Sequence, residues 1–250
     1  MRTVWKNCIT GLAAVALLVI AYLFAHAVVG NELLVPSFSD CMKGLGGLLI
    51  SGGFWRAFFS TFLRVLCAFT ISFGLAVVFA IVAYLLPIFA RFFAPIVAVL
   101  RSVPTLAVLL IVLVWTGSGV APVVVAFLTL FPTLYAGLYA ALLGVDRGLA
   151  EMSRVYRVPL KRRVFSLYLP SIAPLALREG AAALGLALKL VASAEVLAGT
   201  YASLGGLMQE AKAYLDMPLL FALVCVTFLL GLALEALGNL AALAVERRAL

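Results

Sequence analysis

The feature that most constrains this chain is the length of its stretches without a charged side chain. Between Arg101 and Asp146, 44 consecutive residues contain no Asp, Glu, Lys or Arg, about twice the roughly 20 apolar residues that one membrane-spanning helix requires. Of all 250 residues, 66% are hydrophobic and 11% are charged, whereas a soluble domain averages about 45–50% apolar residues. The sequence therefore predicts a membrane protein and excludes a soluble enzyme, a DNA-binding protein and a disordered chain.

The apolar stretches predict about six transmembrane helices. The first is long and no small-x-small cleavage site follows it, so we interpret it as a retained helix rather than a signal peptide. Residues 115–119, Trp-Thr-Gly-Ser-Gly, are a turn signal that divides the longest uncharged run into the third and fourth spans. Backbone groups in lipid must bond one another and no strand alternation is present, so the fold class is all-α, with a single transmembrane domain over residues 1–250. The first, second, fifth and sixth spans are expected at about Ile9–Val29, Thr61–Ala90, Glu179–Gly199 and Pro218–Ala244.

The basic residues predict the orientation of these spans. With the N-terminus inside, twelve Lys or Arg side chains face the cytoplasm and only Lys43, Arg56 and Lys212 face the opposite side, as the positive-inside rule requires. Both termini are therefore expected in the cytoplasm, and the net charge of +8 reflects topology rather than nucleic-acid binding. Arg56 and Arg64, near the outer boundary, are expected to snorkel towards lipid headgroups. The cytoplasmic basic residues are Arg2, Lys6, Arg91, Arg147, Arg154, Arg157, Lys161, Arg162, Arg163, Arg178, Arg247 and Arg248.

The sequence indicates no catalytic residues and no metal site. Its four cysteines are scattered singly, without the paired spacing of a disulfide or metal framework. The single histidine, His26, is expected at an interface or in packing, because one histidine does not form a metal site alone.

One cytoplasmic loop, residues 144–178, differs from the others in length and charge, with seven basic residues against Asp146 and Glu151. Residues 150–158 are predicted to form a short helix, and Pro159 a corner that begins a second helix, because proline disfavours helical geometry at the preceding residue and suits a first helical turn. Leu169 and Pro170 are predicted to end the second helix. Composition alone favours an amphipathic loop that lies on anionic lipid headgroups.

The order of residues in this loop supports another interpretation. Glu151-Met152-Ser153-x-x-x-Arg157, followed without a gap by Leu167-x-Leu169-Pro170, resembles the cytoplasmic EAA loop of binding-protein-dependent ABC importer permeases, Glu-Ala-Ala-x3-Gly-x9-Ile-x-Leu-Pro. Seven further short pieces follow the order seen in the nitrate, sulfonate and taurine branch of those permeases. They are residues 34–37, 61–65, 100–105, 115–119, 131–132, 194–195 and 204–207.

The clearest departure from the family pattern is Arg157, which stands where the family has glycine. Glycine adopts positive φ without strain, whereas arginine does not. The corner is therefore expected either at Arg157 or, shifted by one or two residues, at Val158-Pro159.

The resemblance implies a type I ABC importer permease in the bacterial cytoplasmic (inner) membrane, multi-pass and without a cofactor of its own. ATP and Mg would bind a separate ATPase, because the chain contains no Gly-x4-Gly-Lys-Ser/Thr phosphate loop. The implied partners are two cytoplasmic ATPase subunits, a second permease copy and a periplasmic or lipid-anchored binding protein. Leu169 and Pro170 would end the coupling loop. The implied coupling residues are Glu151, Met152, Ser153, Arg154, Val155, Tyr156, Arg157, Val158, Pro159 and Leu160.

Polar residues inside the spans are candidates for the translocation pathway or its gate, because charge in a membrane helix usually faces a cavity or a partner. Arg101 and Ser102 precede Pro104, which is expected to kink the third span; pathway lining and a structural ion pair are both open for Arg101. Lys189 and Glu195 are six residues apart and poorly placed to pair on one helix, so their partners are expected elsewhere.

Two further expectations concern carboxylates in the spans. For Glu195 a gate or inter-helix role is favoured over substrate contact. For Glu235 a buried structural hydrogen bond is expected.

The resulting functional hypothesis is a transmembrane permease subunit for a small nutrient. A pathway containing Arg101 and Lys189 would favour an organic or inorganic anion such as a sulfonate, taurine or nitrate. The alternative is an ion-coupled secondary carrier that acts without an ATPase, although neither an internal repeat nor paired helix interruptions are present. A membrane-embedded enzyme is disfavoured because no Ser, His, Asp or Cys cluster supplies a nucleophile and a base.

Overall fold

The computed structural model describes residues 17, 19–20, 22–24, 26–31 and 34–249, with the backbone alone for residues 147 and 246–249. All regular elements in this part of the chain are helices, which confirms the predicted all-α class. Most of the predicted first span, Ile9–Val29, lies outside the described residues. The helices are α1 (Phe38–Ile50), α2 (Gly52–Leu85), α3 (Pro87–Ser102), α4 (Thr105–Thr116), α5 (Ala121–Leu143), α6 (Arg147–Val155), α7 (Leu160–Ala198), α8 (Leu204–Ala213) and α9 (Met217–Ala249).

Local chemistry explains where several of these helices begin and end. The Ser37 hydroxyl caps α1 by accepting a hydrogen bond from the Asp40 backbone N–H at 3.2 Å. The same hydroxyl, followed by the Lys43 ammonium, lowers the pKa of the Asp40 carboxyl. Gly117 and Gly199, with φ of 74° and 58°, end α4 and α7 in backbone conformations that favour glycine.

Four helices in the described residues are long and apolar enough to cross a membrane, namely α2, α5, α7 and α9. The pair α3 and α4 passes the same criterion together but is bent by 93°. The bend lies at Val103-Pro104, where Pro104 was expected to kink the third span. The described residues thus contain four spans, or five with the bent pair; the predicted total of about six includes the first span, most of which lies outside the described residues, and stays a prediction.

Two predicted spans begin too late. The helix of the second span, α2, starts at Gly52 rather than Thr61, and the helix of the fifth span, α7, starts at Leu160 rather than Glu179. In both cases the helix continues beyond its most apolar segment, because polar and charged residues form helical turns as readily outside the hydrocarbon. This extension changes the position of Arg64, which lies well inside α2 and not near its end.

The core lies between α2, α5 and α7. Leu130, Leu134, Leu138 and Leu142 repeat at four-residue spacing and form the fully buried stripe of α5. Helix α9 packs along α7 at a close crossing, where a Cβ on Gly238 would lie 2.6 Å from the Cβ of Ala181. Small residues at such crossings allow the backbones of membrane helices to approach each other.

Candidate functional site

Helix α6 and the turn after it, residues 147–159, precede the membrane-spanning helix α7. We call this segment the arm. The Asp146 carboxylate begins α6 by accepting hydrogen bonds from the backbone N–H groups of Gly148 at 2.7 Å and Leu149 at 3.2 Å. The predicted order of helix, corner and helix is confirmed, but the helix spans Arg147–Val155 and not residues 150–158. Aspartate is one of the residue types that cap helix N-termini. Asp146 was therefore a signal in the sequence that α6 begins before residue 150.

The outward face of this arm is apolar. Of the ten predicted coupling residues only Ser153 and Val158 are partly buried, and the other eight are exposed. Val155 and Tyr156 are 78% and 76% exposed, and Met152 is also exposed. Glu151, Arg154 and Arg157 are exposed in the same segment. A patch of large exposed apolar side chains with polar neighbours is typical of a protein-binding surface.

The corner itself is at Arg157, with φ of 49°. The Val158 N–H donates to the Ser153 carbonyl at 3.0 Å and the Arg157 N–H donates to the Arg154 carbonyl at 2.9 Å. These two bonds form a Schellman motif, in which the left-handed residue is ordinarily glycine. Arg157 thus has the backbone conformation that glycine suits best, and the alternative of a corner shifted to Val158-Pro159 is wrong.

We expect the substitution Arg157→Gly to stabilise the protein. The left-handed conformation costs a non-glycine residue about 1–2 kcal/mol, and glycine loses about 0.5–1 kcal/mol of extra chain entropy, so the net gain is at most about 1.5 kcal/mol. For a chain of this size, the thermal unfolding midpoint of the purified protein should rise by about 2–4 °C. The control Arg154→Gly, inside α6, should lower it, because glycine in a helix interior costs about 1 kcal/mol. A midpoint that falls in both variants would contradict the strain at Arg157.

The second helix does not end at Leu169-Pro170, contrary to prediction. The structure has one continuous helix, α7, from Leu160 to Ala198. A π-helical turn at Val164–Tyr168 precedes the proline, and the Leu169 N–H bonds to the Val164 carbonyl. Such a turn shifts the hydrogen-bond register, which accommodates a proline that lacks its own N–H. The helix that begins directly after the corner is therefore continuous with the span.

Helix α7 is fixed to the core next to the π-helical turn. The Tyr168 side chain is fully buried and its ring contacts Tyr84 of α2 edge-on, with 5.1 Å between the centroids. Aromatic pairs in this geometry stabilise a contact beyond the area that they bury. The first part of α7 is therefore packed directly against α2.

A buried polar network connects the opposite end of α7 to the core. The Glu195 side chain is 0% exposed and accepts hydrogen bonds from Arg64 Nη1 at 2.9 Å, Thr61 Oγ1 at 2.8 Å and the Gly205 N–H at 3.2 Å. The Leu204 N–H donates to Thr61 Oγ1 at 2.9 Å. We call these five residues the Glu195 network. It joins α2, α7 and the first turn of α8.

The Glu195 network also reaches the turn between α4 and α5. Arg64 Nε donates to the Gly119 carbonyl at 3.1 Å, and Thr200 Oγ1 donates to the Ser118 carbonyl at 2.8 Å. Gly205 has no room for a side chain, because a Cβ there would lie 2.6 Å from the Val196 nitrogen. The expectation that Arg64 snorkels to headgroups is therefore wrong. The expected partner of Glu195 on another helix is confirmed.

The other candidates lie apart from this network. Arg101 and Ser102 are exposed at the 93° bend, where the Ser102 hydroxyl donates to the Val99 carbonyl at 2.9 Å. Within the described residues no carboxylate lies within 4.0 Å of Arg101, so the structural ion pair that was considered is not found there. Lys189 is exposed on α7.

Glu235 differs from expectation. Its side chain is exposed on α9, and no hydrogen bond to it is found in the described part of the chain, so the predicted buried hydrogen bond is wrong. It shares a groove with Lys189, and the groove lining includes none of the residues that bond to Glu195. Sequence reasoning considered Arg64 and Glu235 but misplaced both, and the order of the short pieces at 61–65 and 204–207 was the available signal for the first.

Comparisons with known proteins agree on one class. Residues 72–249 match the model of the family described as binding-protein-dependent transport system inner membrane component. The chain is 28% identical over 208 residues to a probable ABC transporter permease protein of Brucella melitensis biotype 1, covering 83% of this chain and 84% of the relative. A probable ABC transporter permease protein of Brucella abortus is equally similar, with 83% of each chain covered.

The fold is also similar to that of a solved structure. An inward-facing conformation of the MetNI methionine ABC transporter aligns with a TM-score of 0.59 at 21% identity, covering 79% of this chain and 96% of that chain. At this identity the likeness concerns the fold.

Proposed function

The chain belongs to the binding-protein-dependent transport system inner membrane component family, and on this premise we propose that it is the permease subunit of an ATP-driven importer, coupled to a separate ATPase through residues 151–160. The observation that carries the coupling proposal is the continuity of the exposed corner with α7. Because Leu160–Ala198 is one helix of 39 residues, or roughly 58 Å at 1.5 Å per residue, displacement of the corner displaces the span.

The ATPase would bind the apolar face of α6. Met152, Val155 and Tyr156 supply exposed apolar area on one side of the arm. Glu151 would anchor the start of this contact, as the only carboxylate in α6, while Arg154 and Arg157 would pair with acidic groups of the ATPase. These charges of both signs would determine the orientation in which the ATPase binds more than the affinity of its binding.

The proposed assembly has two copies of this permease, two ATPase subunits on the cytoplasmic side, and a periplasmic or lipid-anchored substrate-binding protein. ATP and Mg would bind between the ATPase subunits, with no cofactor on this chain. Both termini would lie in the cytoplasm of a bacterium, since the corner must face the ATPase. Two copies are proposed because the few spans of one chain enclose little space.

Arg101, Ser102, Pro104 and Lys189 are proposed to line the translocation pathway. Arg101 and Lys189 are exposed on the protomer although they lie in or beside membrane spans, and such positive charge ordinarily faces a cavity or a partner. The bend at Pro104 supports this proposal, because non-helical backbone at membrane depth is tolerated where it lines a water-filled cavity. A small nutrient with an acidic group, such as a sulfonate, taurine or nitrate, is the proposed substrate class.

Glu195 is proposed to act between helices and not on substrate. Its carboxylate is fully buried and accepts three hydrogen bonds, so it offers no free surface to a solute. By joining α2, α7 and α8, the Glu195 network would keep one end of α7 in place while the corner moves. The end of the translocation pathway next to the Glu195 network would then open only when the hydrogen bonds of this network rearrange.

Reconstitution into proteoliposomes tests the proposal. The permease is combined with its partner ATPase and binding protein, and the solute that co-purifies with the binding protein is supplied outside. We expect accumulation above the external concentration only when ATP is present on the side of the corner and the ATPase is included. Accumulation by the purified chain alone, driven by an ion gradient, would contradict the proposal and identify a secondary carrier.

A further inference from the structure

A groove of about 280 Å³ runs between α7 and α9, outside the Glu195 network. Lys189 and Ser193 of α7 and Thr227 and Glu235 of α9 supply its polar atoms. Its remaining lining is apolar and includes Leu188 and Phe228. The volume is at the lower limit of pockets that bind small molecules, which run from about 300 Å³.

The two charges in this groove are opposite but do not neutralise each other. Within the described residues no ion pair of 4.0 Å or less joins Lys189 and Glu235. The Glu235 carboxylate instead lies over Gly185, one helical turn from Lys189, where a Cβ would lie 3.3 Å from Glu235 Oε2. Because Gly185 has no side chain, the Glu235 carboxylate can occupy the space next to it. Both side chains are exposed on the protomer.

Both charges belong to helices that cross the membrane by length and composition. A separated ammonium and carboxylate facing hydrocarbon would each be costly, whereas charges in spans ordinarily face a partner or a water-filled cavity. The hydroxyls support a wet groove: Thr227 Oγ1 donates to the Leu223 carbonyl at 2.8 Å and keeps its lone pairs for an acceptor role. Ser193 is exposed beside Lys189.

We propose that this groove is a contact site for a small zwitterionic solute on the translocation pathway, with Lys189 facing its acidic group and Glu235 its ammonium group. The inference rests on the proposed permease function and narrows its substrate class. A simple anion such as nitrate would meet attraction from Lys189 but repulsion from Glu235. A molecule with both charges is complementary to both side chains, and the apolar lining accommodates the carbon chain between them.

The electrostatic half of the proposal is tested by cysteine labelling of the complete transporter in proteoliposomes. In a variant whose native cysteines are replaced by serine, Lys189→Cys and Glu235→Cys are reacted with a cationic and an anionic methanethiosulfonate. For Lys189→Cys, which keeps Glu235, the ratio of the cationic to the anionic labelling rate should be about threefold higher than the same ratio for a free thiol. For Glu235→Cys, which keeps Lys189, the ratio should be lower than that of a free thiol by a similar factor. Leu229→Cys, exposed on another face of α9, is the lipid-facing control and should not react.

Unreactive cysteines at both positions, or the same charge preference at both, would overturn the proposal. ATP-dependent accumulation of the solute is measured in the same vesicles. If it persists in the cysteine-free parent while labelling fails, the permease function stands and only the groove assignment is lost.

The ligand half is tested with Ser193→Cys, which keeps both charges. Taurine, β-alanine and methionine are the zwitterionic probes, and ethanesulfonate and ethylamine are matched ions that carry only one of the charges. We expect at least one zwitterion to slow labelling of this cysteine while neither single ion does so at the same concentration. Equal protection by ethanesulfonate, or no protection by any zwitterion, would overturn the assignment.

Discussion

Deleting residues 152–160 is expected to abolish recovery of the ATPase with the permease, while the permease still inserts into the membrane. The deletion removes the exposed apolar side chains of α6 and the corner that presents them. Insertion depends on the apolar spans, and the deletion removes from them only Leu160, the first residue of α7. Co-purification of the two subunits from detergent extracts measures the first effect, and the amount of permease in the membrane fraction measures the second.

The substitution Glu151→Ala is expected to have the same effect on recovery without shortening the chain. Lys212→Ala, an exposed change on α8 away from the corner, is the matched control and should leave recovery unchanged. Undiminished co-purification and transport after the deletion would remove residues 151–160 from the coupling role.

The second large effect is expected for Arg64→Ala. This change leaves the Glu195 carboxylate buried without its cation, and breaking a buried ion pair by removing one partner costs about 3–5 kcal/mol. At about 2–4 °C per kcal/mol for a chain of this size, the thermal unfolding midpoint should fall by roughly 6–20 °C. The midpoint is measured on the purified protein in detergent.

Two further variants show whether the ion pair is the cause. Arg56→Ala, two helical turns earlier in α2 and exposed, should change the midpoint little. The double variant Arg64→Met, Glu195→Met removes both charges and should recover part of the loss, because no uncompensated charge remains buried. A midpoint for Arg64→Ala equal to that of Arg56→Ala would show that the Glu195 network is not a stabilising contact.

Local features of the corner could be predicted from the sequence because they depend on neighbouring residues. Asp146, Pro159 and the spacing from Glu151 to Pro170 are sufficient to predict a helix, a corner and a second helix. The family pattern also indicated that a left-handed residue belongs at position 157, and Arg157 takes that conformation despite its side chain. Pro170 was misjudged, because the rule that proline ends a helix does not consider a π-helical turn that absorbs it.

Contacts between distant residues could not be predicted from one sequence. Arg64 and Glu195 are separated by 131 positions, and no periodicity relates them. Arg64 was also assigned to the membrane boundary because the predicted span began at Thr61, whereas α2 begins at Gly52 and places Arg64 about three turns inside the helix. Glu235 was expected to be buried because it lies in an apolar span, but burial depends on which face of α9 packs against α7.

The central claim, that the corner transmits force from a separate ATPase, is tested most directly by cross-linking in inverted membrane vesicles. Tyr156→Cys, at the exposed end of α6, is introduced into the cysteine-free permease, which is assembled with the ATPase and treated with a short reagent that carries one thiol-reactive and one amine-reactive group. The single cysteine can then be joined to a lysine amine of the ATPase. We predict a cross-link to the ATPase whose yield changes when ATP is added. No cross-link, together with labelling of this cysteine by an impermeant reagent from the opposite side of the membrane, would contradict the account.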